Sequence, residues 1–165
     1  MANARALYRN KITASSMLTI SSTSVNFPKG NLIDEIRGTT WRSATAGATV
    51  TIDIDFSTAT SIDEIAILGH NLTSAGAFGL RYGATSPPTN VATLGAVTDG
   101  VWASFFTSKT ARYWRLNLKQ SIASGFYQIS ELSLGRYTEF ARHFAVGWRK
   151  RREEGHSMLE TQGGV

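Results

Sequence analysis

The sequence predicts an all-β protein, an antiparallel β-sandwich of the jelly-roll kind followed by a C-terminal arm. Three observations predict it. Short runs alternate apolar and polar residues with a period of two, the pattern of a strand with one buried and one wet face. Turns rich in Gly, Ser and Thr separate these runs, as in domains built from many short strands. Hardly any segment before residue 136 repeats at helical spacing. The chain has 165 residues, 42% of them hydrophobic, enough for one domain with its own core plus an arm.

The elements follow in order. Residues 1–16 read as an N-terminal extension. Met17, Leu18 and Ile20 among Ser and Thr predict a strand over 17–21, and Pro28, Gly30 and Asn31 then mark a turn. Residues 49–56 give the clearest strand: Val50, Ile52, Ile54 and Phe56 share one face, and Thr51, Asp53 and Asp55 the other. Ile62, Ile65 and Ile67 predict a strand over 61–68, with Asp63 and Glu64 at its solvated start. Further strands are expected over 77–82, 101–106, 113–118 and 129–134, and Pro87-Pro88 breaks the chain into a loop. The jelly roll therefore spans 17–136. Trp41, large with a single donor, suits the edge of its core. Arg112 and Arg115, three apart, fall on opposite faces of a strand, one to pair with a carboxylate such as Glu131 or Asp55 and one to stay wet.

After Gly135 the pattern changes, and residues 137–165 form the arm. Tyr137, Phe140, Phe144 and Trp148 recur at spacings of three and four, which would line one face of a helix. The stripe either folds back on the sandwich or docks on a neighbour. Arg149, Lys150, Arg151 and Arg152 follow; aromatic and Arg side chains are the usual interface anchors, so the stripe with Arg149, Arg151 and Arg152 is the candidate subunit interface.

Composition narrows the chemistry. The chain has no cysteine and three histidines, which removes disulfide frameworks, thiolate nucleophiles and cysteine-held metals. Net charge is +5, concentrated in residues 136–152, where six Arg and Lys stand against Glu139. Four adjacent cations attract phosphate but read no base. Glu153 and Glu154 come next, so the run reads as self-neutralised or as meeting an acidic partner subunit, not nucleic acid. No apolar run is long enough to span a bilayer. No G-x-S-x-G elbow, P-loop, H-E-x-x-H or G-x-G-x-x-G occurs. Asp53 and Asp55 could be paired glycosidase carboxylates, yet alternation on an exposed face explains them. The expectation is a protein that is not an enzyme.

Three stretches carry a resemblance. Asn31-Leu32-Ile33-Asp34 leads through Thr39-Thr40 to Trp41-Arg42-Ser43. Ile52-Asp53-Ile54-Asp55-Phe56 precedes Ile62-Asp63-Glu64-Ile65-Ala66-Ile67. Arg112-Tyr113-Trp114-Arg115-Leu116 precedes Ile129-Ser130-Glu131-Leu132-Ser133-Leu134. Their order and spacing resemble the discoidin, or galactose-binding-like, jelly roll over residues 17–136. With Gly69-His70-Asn71-Leu72-Thr73 added, the chain is similar to structural proteins of tailed bacteriophages. That resemblance implies a virion tail component, at the tail tip or as a fibre adaptor or minor tail protein. It would be assembled in the bacterial host cytoplasm, with other tail proteins and copies of itself as partners.

The alternative it implies is a carbohydrate-binding module attaching to a host glycan. His70 and Asn71 at a strand end would then hydrogen-bond the sugar, Arg81 would donate to it, and Trp102 would stack on it. The competing reading gives His70 and Asn71 to the turn itself, His70 capping backbone groups and Asn71 in a left-handed conformation. The resemblance also implies a structural calcium on Asp34 and Glu131, with oxygen from Thr39 or Thr40. Its competitor is an Asp-capped turn and an Arg-paired Glu, with no cofactor at all.

Overall fold

Two long strands organise the molecule. The computed structural model describes residues 5–45, 49–72, 77–97, 100–119 and 125–140. Its strands are β1 (Arg5–Asn10), β2 (Leu18–Ile20), β3 (Trp41–Arg42), β4 (Val50–His70), β5 (Phe78–Gly83), β6 (Asn90–Ala92), β7 (Gly100–Leu118), β8 (Gln128–Ile129) and β9 (Glu131–Glu139). Short 3-10 turns occupy Ser15–Met17 and Lys29–Leu32. All pairings are antiparallel. The first half of β4 lies between β2 and the second half of β7, which β5 and β6 extend. The second half of β4 lies between the first half of β7 and β9, which β1 extends. Ile52 and Ile54 from one half and Ile65 and Ile67 from the other enter a single buried cluster. The bent strands thus fold over a common core, and the antiparallel jelly roll expected from the sequence is the fold.

The sequence divides each long strand in two because the alternation changes phase at the bend. Ser57 takes a positive φ of 63°, and its N–H donates to Asp55 Oδ1 at 2.7 Å. Register slips between Asp55 and Thr60 and again between Ile62 and Glu64. Ile62 and Ile65, three apart, can both face the core only if an extra residue sits between them, which is what a bulge supplies. The bulge also overturns the solvated strand start: Asp63 and Glu64 are buried at 6% and 2% exposure. Asp63 accepts from Tyr137 N–H at 2.9 Å and pairs with Arg136.

Residues 5–10, within the expected N-terminal extension, form the strand β1, bonded to β9. Asn10 fixes it, donating to the Leu132 carbonyl and accepting from Ile12 and Leu134 N–H. Tyr137 does not open a helical stripe, because β9 continues through Glu139 and puts its ring edge-on to Phe105 at 5.4 Å. Arg112 and Arg115 are both paired, with Asp55 and Asp53 respectively; the two carboxylates that alternation left in water are their partners. Trp41 is fully buried, and its Nε1–H donates to Thr23 Oγ1 at 3.2 Å. No helix among the described residues is long and apolar enough to cross a membrane.

Candidate functional site

The turn after the Lys29–Leu32 segment carries the densest polar arrangement. Leu32 is fully buried and anchors it. Asn31 Nδ2 donates to the Thr40 carbonyl, closing the loop across nine residues. Within it Asp34 Oδ1 accepts from Ile36 N–H at 2.9 Å, the local bond an Asp offers a turn. Asp34 Oδ2 accepts from the Thr39 hydroxyl at 2.6 Å. Glu35 is held at φ 60°, uncommon for a residue with a side chain.

β9 brings Glu131 against this turn. The Thr39 hydroxyl, and then the Ile36 N–H, hold the Asp34 carboxyl below its ordinary value against the opposing effect of burial. Burial foremost, then the Asp34 charge, a hydrogen bond shared with Asp34 and the Glu35 charge, push Glu131 up to about 7. The two carboxyls therefore hold one proton between them near neutrality, as closely placed acids do. Glu131 Oε1 and, two residues on, Ser133 Oγ are buried with no hydrogen-bond partner.

Glu131 and Ser133 border a cleft of about 420 Å³ between β1, β9 and the Asp34 turn. Arg9 and Asn10 line it from β1, Leu68 from β4, and Glu35 and Arg37 from the turn. Asn10 spends its amide on the backbone, so Arg9, Arg37 and Glu35 are its charged groups beside Glu131.

The residues fit a hard cation in part. Asp34, Glu131 and the Thr39 hydroxyl are an all-oxygen set, the chemistry calcium takes, and Glu131 Oε1 lacks any other partner. No group of three or more His, Asp or Glu side chains among the described residues could hold a metal, so further donors would be backbone carbonyls or water. The Arg-paired alternative for Glu131 is not seen: its ion pairing is absent among the described residues.

The other candidate residues lie elsewhere. His70 is 6% exposed, its ring T-shaped against Phe78 at 5.3 Å and its Nδ1 accepting from Leu72 N–H. Asn71 Nδ2 donates to the Phe126 carbonyl and Oδ1 accepts from Gln128 N–H, tying two loops together. The positive φ at this corner belongs to Gly69, not Asn71. Trp102 is 2% exposed, stacked on Phe78 at 4.8 Å, with its Nε1–H donating to the Ala96 carbonyl; its ring face is covered by the core. Arg81 is exposed on β5, opposite Arg115 in register. The structure does not bring these four to one open surface. Of the arm, Phe140 is 36% exposed, whereas Phe144, Trp148, Arg149, Arg151 and Arg152 lie outside the described residues.

Sequence reading missed Arg9, Arg37 and Ser133. No local pattern marked them, since β1 ends at Asn10 and Arg37 lies in a turn. It also missed Arg42, whose guanidinium lies between the Phe27 and Phe126 rings at 4.1 and 4.6 Å while Nε donates to Gln128 Oε1.

No family model and no curated protein matches the chain. Solved structures do. Chitosan-binding module 1 of a chitosanase/glucanase from Paenibacillus sp. IK-5 superposes with a TM-score of 0.63 at 19% identity, covering 77% of this chain and 98% of that one. The CBM32 of AlyQ, in complex with 4,5-unsaturated mannuronic acid, gives 0.59 at 22% identity, over 78% and 97%. CpGH89CBM32-5 from Clostridium perfringens, in complex with GalNAc-β-1,3-galactose, gives 0.60 at 16% identity, over 72% and 94%. The fold of this chain is that of the discoidin-like, galactose-binding-like jelly roll found in CBM32 modules.

Proposed function

We propose that this domain is a carbohydrate-binding module whose ligand occupies the cleft between β1, β9 and the Asp34 turn. The observation that carries this reading is that cleft, where the guanidinium groups of Arg9 and Arg37 and the Glu35 carboxylate gather beside Glu131. Sugar hydroxyls, which both donate and accept, satisfy carboxylate and guanidinium alike. The carbohydrate-binding modules that share this fold support the reading. A calcium ion on Asp34, Thr39 and Glu131 would supply charge that orders the turn, and it would assign no reaction to the site.

The test is a glycan array probed with the full chain, beside the Arg9→Ala and Arg37→Ala variants, with and without chelator. The expected result is saturable binding of at least one glycan, weakened about tenfold or more in each variant. Absence of binding to every glycan at about 1 mM overturns the proposal.

A second reading, the virion tail subunit, rests on the sequence resemblance and gains one structural support. Among the described residues β1 is the outermost strand of its sheet, and the half-exposed Phe140 follows β9 beside it. An open edge with an apolar flank is a template for a neighbouring chain. Native mass measurement tests this: a ring or trimer is expected, alone or with tail proteins, and a monomer throughout overturns it.

A further inference from the structure

A second concavity adjoins the proposed sugar cleft and differs from it in charge. Arg9, Lys11 and Arg136, with Tyr137 and Thr138, line a groove of about 380 Å³ along the β1–β9 edge. Arg9 belongs to both cavities. Arg9 and Arg136 are direct partners across the antiparallel pair, so their side chains leave the same face side by side. Lys11 continues the ladder through its N–H to the Leu134 carbonyl and, two residues on, joins that face. Like charges placed directly opposite destabilise a sheet, so a fold under no other demand would disperse them.

The charge is only partly relieved. Arg136 reaches Asp63 Oδ2 at only 3.5 Å, and the other oxygen of that carboxylate is bonded to Tyr137 N–H. Among the described residues Arg9 and Lys11 take part in no ion pair. Two guanidinium forks and an ammonium on one face are the donors that hold a carboxylate or sulfate.

The neighbouring cleft narrows the choice of anion. Glu35 and Glu131 line it on the far side of Arg9. A nucleic acid, charged along its whole length, would carry phosphates past both carboxylates. A glycan with one acid group per sugar would not: its carboxylate sits among the three cations, and its hydroxyls meet Arg37 and Glu35.

We infer that the Arg9–Lys11–Arg136 groove binds the acid group of a uronate-containing glycan whose adjoining sugar enters the Glu131–Ser133 cleft. This rests on the carbohydrate-binding reading and specifies its ligand class. Calorimetric titration of the full chain with a short oligogalacturonate, a neutral galactan of equal length and a DNA duplex tests it. The comparison variant is Lys11→Ala/Arg136→Gln, which leaves the Glu131–Ser133 cleft intact.

The expected result is that oligogalacturonate binds best, loses about tenfold or more in the variant, and weakens as salt rises. Binding of the neutral galactan should change less than about twofold. Neutral binding without acid preference overturns the inference and leaves the carbohydrate reading standing. Failure of oligogalacturonate to bind overturns the inference, while the carbohydrate reading stands or falls on the glycan array. DNA binding as tight as oligogalacturonate, and equally lost in the variant, makes the groove a general polyanion seat and also overturns the inference. An unchanged circular-dichroism spectrum and melting temperature for the variant separate lost ligand contacts from lost folding.

Discussion

Neutralising Glu64 is expected to stabilise this protein above neutrality and leave it unchanged in acid. Glu64 is 2% exposed, between Phe105 of β7 and Gly135 of β9 in register, and its Oε2 has no hydrogen-bond partner. Burial first, and the adjacent Asp63 charge second, push its carboxyl from 4.5 to about 7. The folded state therefore holds this proton more tightly than the unfolded chain does. The acid favours folding no more than its unfolded counterpart below pH 4.5, and stability falls as pH rises from there through about 7. The full loss is roughly 3 kcal/mol once pH passes 7. Asp63 has Arg136 and the Tyr137 N–H as partners. Glu64→Gln keeps the shape and removes the titration. Urea unfolding followed by tryptophan fluorescence at about pH 4, 6 and 8 should give coincident curves in acid. At the highest pH the variant should gain roughly 2–3 kcal/mol. Glu131, also raised to about 7, leaves the variant a residual slope. Parallel loss of stability in both proteins between about pH 5 and 8 would refute the argument.

Other outcomes follow from the same geometry. Trp41→Ala empties a fully buried site and should cost about 3–5 kcal/mol in chemical denaturation. Asn71→Ala abandons the Phe126 carbonyl and the Gln128 N–H; it should cost roughly 2–4 kcal/mol in stability, with glycan affinity per folded molecule unchanged. Gly69→Ala sets a Cβ against Ser130 Oγ at a φ of 63°, and a melting temperature lowered by several degrees, about 4–8 °C, is expected. Calcium at about 1 mM should raise the melting temperature of the wild type and not of Asp34→Asn, and equal shifts in the two would remove Asp34 from any cation site.

Much of the fold could be read from the chain because its apolar residues keep strict parity. Val50, Ile52, Ile54 and Phe56 alternate cleanly and are buried, as expected. Parity fails where geometry changes its phase, and there the reading failed too. The bulge at Asp63 hid two buried acids, and the bend at Ser57 cut each long strand in two. The site was half readable. Asp34, Thr39 and Glu131 lie together at one turn, an arrangement open both to the cation and to the Asp-capped turn. Arg9 and Arg37 did not declare themselves, because an exposed arginine looks the same in sequence whether its neighbours are water or another cation. Trp102 failed in the opposite sense: an aromatic near loops suggests a stacking platform, and only three-dimensional burial against Phe78 shows otherwise.

Arg5 sits across from Glu139 in the ladder, and an ion pair clips them together. Polypeptide grafted before the first and beyond the last of these residues would leave from one corner. The domain can therefore be spliced into a surface loop of a host protein without prying that loop apart. During synthesis the same arrangement makes β1 wait, since β9, its partner among the described residues, is among the last of them to emerge from the ribosome.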